Sequence, residues 1–117
     1  MIDSFVVENP QTNQITDFIS YYHLPSSILK HETHKTLRVA YSYYNIAKTH
    51  SLEELMKNAL ILAKQKDFDV FNALDVMDNE KLFKELRFGQ GDGHLHYYLF
   101  NWRVPEISPG KLSTVLV

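Results

Sequence analysis

A chain of 117 residues is one domain at most, or a piece of a larger one. A hydrophobic share of 44% excludes a disordered composition, and 14 acidic against 12 basic residues exclude the basic footprint of a nucleic-acid binder. The absence of cysteine excludes disulfide frameworks, thiolate zinc sites and a cysteine nucleophile. The first ten residues lack the basic and apolar regions of a signal peptide, and no apolar run is long enough for an integral membrane segment. A soluble, cytoplasmic protein is expected. The chain opens almost directly on strand-like residues, as a piece cut from a longer protein would, so residues 1–117 are read as one domain of such a chain.

In chain order, residues 4–7 and 15–22 read as two strands joined by a loop rich in turn formers, Glu8 to Gln14. Pro25 breaks that pattern, and residues 26–29 could form a single helical turn. Residues 37–44 alternate, with Leu37, Val39, Tyr41 and Tyr43 on one face, which predicts a strand. Residues 52–64 predict the main helix. Ser51 and Glu54 supply a capping box, and Leu52, Leu55, Met56, Ala59, Leu62 and Ala63 recur at three- and four-residue spacing. A short strand over 68–74, a shorter helix around 80–86 and an aromatic strand over 93–102 follow, before an apolar end at 112–117. Strands interleaved with one main and one shorter helix imply an α+β fold with a mostly antiparallel sheet.

Several constellations could carry chemistry. Phe88-Gly89-Gln90-Gly91-Asp92-Gly93 holds three of the four glycines, so it is either a tight turn or a loop whose amides and Asp92 grip a ligand. A dinucleotide cradle is disfavoured, because a strand rather than a helix is expected after it. His31 with His34, and His94 with His96, could hold a metal only if a third ligand came close, and no spacing supplies one, so no metal site is expected. Asp67 with Asp69 and Asp75 with Asp78 read as solvated turns rather than a paired-carboxylate site. The seven tyrosines fit a core with hydroxyls at its rim, or the lining of a peptide groove.

Collinear stretches resemble the N-myristoyltransferase family. They are Leu24-Pro25-Ser26-Ser27, then His34-Lys35-Thr36-Leu37 running into Ala40-Tyr41-Ser42-Tyr43-Tyr44-Asn45, then Asp67-Phe68-Asp69-Val70-Phe71-Asn72-Ala73-Leu74-Asp75, and Phe88 to Gly93. The last is similar to the family signature K-F-G-x-G-D-G and continues into Tyr97-Tyr98-Leu99-Phe100-Asn101-Trp102. The likeness runs from about Phe5 to Val117. It implies the C-terminal, acetyltransferase-like half of a duplicated fold, and transfer of myristate from myristoyl-CoA to the amine of an N-terminal glycine. It further implies that Val117, at the family's C-terminus, supplies an α-carboxylate as catalytic base. Ser26, Tyr41, Asn72, Gly91, Asp92, Gly93 and Leu95 fall at positions of the peptide groove. No cofactor is implied. Myristoyl-CoA would be a co-substrate held mainly by the other half, which also carries the oxyanion-hole amides. The partners are proteins or peptides with an N-terminal glycine. Arg87 stands where the signature has Lys, and Lys111-Leu112-Ser113 lacks a glycine that many relatives carry. The alternatives are a peptide-binding or scaffold domain that folds alone, without catalysis, or a structural core that binds nothing well.

Overall fold

The computed structural model describes residues 1–115. The chain divides into two compact units, the first spanning Met1–Leu74 and the second starting at Asp75.

In the first unit, β1 (Ile2–Asn9) and β2 (Gln14–His23) form an antiparallel hairpin. Its turn is closed locally: the Asn9 side chain accepts from the Gln11 amide at 2.9 Å, and Asn13 adopts a positive φ of 53°, which asparagine tolerates. A bulge at Thr16 follows, since Val7 pairs with Asp17 but Glu8 pairs with Ile15. β5 (Val39–Ile46) pairs antiparallel with β2, and β6 (Val70–Asn72) adds a parallel edge, giving the order β1-β2-β5-β6. A second bulge lies in β5, where Ile19 faces Asn45 but Tyr21 faces Ser42. The buried Ser20 hydroxyl closes it, donating to the Tyr44 carbonyl at 2.8 Å and accepting from the Tyr44 amide at 3.1 Å.

α1 (Leu52–Gln65) covers one face of this sheet. Ser51 caps it by accepting from the Glu54 amide at 3.1 Å, the forward half of the expected capping box. Leu55, Met56, Ala59 and Ala63 are buried at helical spacing, as the apolar periodicity predicts. The helix ends with Asp67 at φ 60°, while the Phe68 amide reaches back to the Ala63 carbonyl at 3.1 Å. That ending drives Phe68 into the core, edge-on to Tyr21 at 5.7 Å. Phe71 meets Tyr21 at 5.6 Å and Phe5 meets it at 5.9 Å. Tyr21 is fully buried at the centre of this aromatic cluster.

The helical turn expected over 26–29 is not formed. Ser26–Ser27 is instead a two-residue strand, β3, paired with β4 (Thr36–Leu37), and the Ile28 amide continues the ladder to the Lys35 carbonyl at 2.9 Å. An extended backbone after Pro25 finds a partner segment, and long-range pairing overrides the weak local signal.

The second unit contains α2 (Glu80–Glu85) and a 3-10 turn at Pro109–Lys111. Among its described residues Val76, Asn79 and Leu82 are buried, and the Met77 amide bonds the Leu112 carbonyl at 3.1 Å. The strand expected over 93–102 is absent among the described residues. That stretch is irregular and exposed, with a turn that brings the Trp102 amide to the Leu99 carbonyl at 3.4 Å and puts Asn101 at φ 60°. A β-forming sequence becomes a strand only where a neighbour supplies the other half of the ladder, and no described strand pairs with this one.

Candidate functional site

The residues expected to line a peptide groove fall in both units. In the first, Tyr41 and Asn72 are register partners on β5 and β6, so their side chains leave the sheet on one face, the face opposite α1. Tyr41 is stacked on Tyr22 with ring centroids 5.2 Å apart and an interplanar angle of 10°. Tyr43 meets Tyr22 edge-on at 5.8 Å and touches Tyr44 at 4.4 Å. The tyrosines therefore form one half-buried aromatic patch with Asn72 beside it. Burial, followed by the neighbouring Tyr41 and Tyr43, pushes the Tyr22 hydroxyl above its ordinary pKa, so Tyr22 stays a neutral phenol at physiological pH. Ser26 lies on β3, half-buried, two residues after Leu24, whose amide bonds the Val39 carbonyl at 3.0 Å. That bond ties the β3–β4 hairpin to the start of the strand that carries Tyr41.

In the second unit, Phe88 packs against Phe83 at 5.4 Å and its amide caps the end of α2, so the chain leaves the helix at Gly89. Gly91, Asp92, Gly93 and Leu95 follow, all exposed. None of the four glycines has a positive φ, and a Cβ added at Gly89, Gly91 or Gly93 would meet no atom within 4 Å. Neither backbone strain nor local crowding within the described residues accounts for three glycines in this loop. Val117, expected to carry the basic carboxylate, lies outside the described residues.

The histidine pairs behave differently from each other. His31 Nδ1 accepts from the Thr33 amide at 3.2 Å and the His34 amide at 3.0 Å, so it organises its own turn, whereas His94 and His96 are exposed. No group of three or more His, Asp or Glu able to hold a metal ion occurs among the described residues, and no described helix is long and apolar enough to cross a membrane. A cavity of about 120 Å³ lies beneath β1, lined by Phe5, Ile19, Leu55 and Leu62. It is smaller than the several hundred Å³ usual for a ligand pocket.

Sequence reasoning missed the most heavily hydrogen-bonded side chain among the described residues. Asp17 is fully buried on β2 and receives donors from the loop between β5 and α1. Its Oδ1 accepts from the amides of Lys48, Thr49 and His50 at 2.7, 2.9 and 3.1 Å. Its Oδ2 accepts from the Thr16 hydroxyl at 2.6 Å, from the Thr49 hydroxyl, and from His50 Nδ1 at 3.2 Å. Burial by itself would raise the pKa of this carboxyl. The Thr16 and Thr49 hydroxyls and the Lys48 and His50 amides override it and hold the group far below the usual carboxylate range. An ionised Asp17 brings no proton to the 3.2 Å contact, so His50 Nδ1 is the nitrogen that carries hydrogen. Apart from the adjacent Thr16, the partners lie 31 to 33 residues away in sequence, and no local pattern marks them.

The profile of the myristoyl-CoA:protein N-myristoyltransferase C-terminal domain matches residues 1–115. The chain belongs to this family. It is 55% identical over its full length to glycylpeptide N-tetradecanoyltransferase 1 of Arabidopsis thaliana, covering 27% of that protein. It is 53% identical to glycylpeptide N-tetradecanoyltransferase 2 of Danio rerio over 99% of this chain and 23% of that one. The chain thus spans about a quarter of the length of these relatives. Among solved structures, Saccharomyces cerevisiae N-myristoyltransferase with bound myristoyl-CoA superimposes with a TM-score of 0.71 at 40% identity, over 79% of this chain and 24% of that one. A probable acetyltransferase superimposes with a TM-score of 0.58 at 14% identity, over 84% of this chain and 66% of that one. This second likeness concerns the fold alone: the α+β arrangement is that of the acetyltransferases.

Proposed function

We propose that this chain is the peptide-holding, C-terminal part of an enzyme that transfers myristate from myristoyl-CoA to the α-amine of an N-terminal glycine. Three glycines that nothing in the described residues requires carry the reading. A loop without side chains at Gly89, Gly91 and Gly93 leaves room for another backbone to approach, and Asp92 between them offers a carboxylate to it. Ser26, Tyr41 and Asn72 of the first unit, and Leu95 of the second, would each contribute contacts to the peptide. The names of the relatives, glycylpeptide tetradecanoyltransferases, support the same substrate class.

The chemistry requires a base. A glycine α-amine with a pKa of about 8 is mostly protonated at neutral pH, and only the neutral amine attacks a thioester. In this reading the Val117 α-carboxylate removes the proton, and desolvation lifts it from its aqueous pKa of about 3.5 toward a useful basicity. The amine nitrogen then adds to the thioester carbonyl, the tetrahedral intermediate collapses to the amide, and the coenzyme A thiolate leaves and takes up a proton. Amides that hold the oxyanion, and most contacts to myristoyl-CoA, belong to the remaining three quarters of a relative-sized protein. The acyl-CoA enters as co-substrate, and the carboxylate route calls for no metal or prosthetic group. In this reading the enzyme works in the cytosol, on glycines exposed by methionine removal.

The test adds residues after Val117 in the full-length enzyme, which converts the α-carboxylate into an amide. Turnover should fall by orders of magnitude while Gly-peptide binding persists, and undiminished turnover would refute the assignment. In the same protein, Asp92→Ala should weaken peptide binding far more than acyl-CoA binding.

A further inference from the structure

The N-terminus of α1 is the position in an α/β unit where a phosphate or other anion finds free backbone amides. Here those amides are engaged. Three consecutive N–H groups, from Lys48, Thr49 and His50, converge on one oxygen of Asp17 within 3.1 Å, immediately before the Ser51 cap. Successive amides closing on a single anionic oxygen form a nest, and nests bind anions. The Thr16 and Thr49 hydroxyls and His50 Nδ1 complete the shell around the second oxygen, so one buried carboxylate receives six donors. It is the donor set of an anion site.

We propose that the loop ahead of α1 is a built oxyanion-binding nest whose permanent occupant is the protein's own Asp17 carboxylate, which closes it to phosphate. The inference stands on the geometry of the first unit and is independent of the transferase reading. Asp17 reaches the nest because the bulge at Thr16 shifts the register by one residue, setting the carboxylate and the Thr16 hydroxyl at the same spot. The occupant costs no binding entropy, since it is tethered to β2, and so it outcompetes a free anion. The first unit accordingly offers no open nest at α1 to a diphosphate-bearing molecule. Among the described residues, His50 is the one titratable side chain in hydrogen-bond contact with the carboxylate.

Chemical rescue tests this. In Asp17→Ala the nest loses its anion and keeps its amides. Formate or inorganic phosphate at about ten times its dissociation constant should raise Tm by about 5–10 °C over chloride at equal ionic strength. The amide resonances of Lys48, Thr49 and His50 should shift saturably in that variant and stay unmoved by phosphate in the parent chain. Saturable shifts of those amides by phosphate in the parent, or no anion response in a folded Asp17→Ala, would overturn the proposal. Should Asp17→Ala not fold, the parent decides. A carbon-detected titration should find Asp17 still ionised at pH 3, and a carboxyl titrating in the ordinary aspartate range would overturn the proposal as well.

Discussion

The two units solve the same problem, burying a mixed apolar and polar chain, with opposite success. In the first unit a twisted sheet and one helix enclose an aromatic centre around Tyr21, and even the charged Asp17 is fully satisfied. In the second, a short helix buries Val76 and Leu82, while Tyr98, Phe100 and Trp102 stand 86%, 93% and 75% exposed. Composition does not explain the difference, for the second unit is the more aromatic along residues 97–102. What differs is partnership. The strands of the first unit find each other within its own 74 residues, whereas the aromatic run of the second has no described strand beside it. A set of large exposed apolar side chains on one segment marks an interaction surface or a surface meant to be covered. A chain that spans about a quarter of its relatives' length fits that account.

Substitutions can break or sharpen this contrast. The largest effect is expected at the first unit's centre. Tyr21→Ala should cost about 3–5 kcal/mol in urea denaturation of the chain, because it empties the space between Phe5, Phe68 and Phe71. A cost under about 1 kcal/mol would mean that the aromatic centre is not what holds the first unit together.

The next effect is pH-dependent. The folded-state carboxyl of Asp17 lies below its ordinary value of 3.8, so its stabilisation is fully present above that pH and is lost as pH falls below it. Asp17→Asn should lower the urea midpoint at neutral pH, and the gap to the parent should close between pH 4 and the acid limit. A gap that stays constant down to pH 2 would show that the carboxylate's charge contributes nothing to stability.

A smaller gain is expected where α1 ends. Asp67 holds a positive φ of 60° where α1 ends, a conformation glycine adopts without strain, and Asp67→Gly should stabilise by about 0.5–1 kcal/mol in thermal or chemical unfolding. The smallest effect belongs to the exposed run. Phe100→Ser should stay within about 0.5 kcal/mol in this chain while improving solubility, since the ring makes almost no burial to lose. A large loss there would show that the aromatic run is packed after all, and the contrast between the units would fail.

Some of this was legible in the sequence and some was not. The capping box at Ser51 and the three- and four-residue apolar spacing gave α1 to within a residue, because helical hydrogen bonds and caps are made between near neighbours. The alternation from Leu37 and the turn formers after Glu8 gave β5 and the first hairpin for the same reason. Collinear motifs, above all Phe88 to Gly93, gave the family, which the match over residues 1–115 bears out. The strand at Ser26–Ser27 and the irregular course of residues 93–102 were not legible, because a strand is decided by its neighbour and the neighbour is distant or missing. The placement of Tyr41 beside Asn72 likewise rests on a parallel pairing 31 residues apart. The sequence by itself thus determined the local elements and the kinship. Only the tertiary structure decided that Asp17 fills the nest ahead of α1, since a carboxylate on β2 and amides more than thirty residues later meet only when the sheet closes.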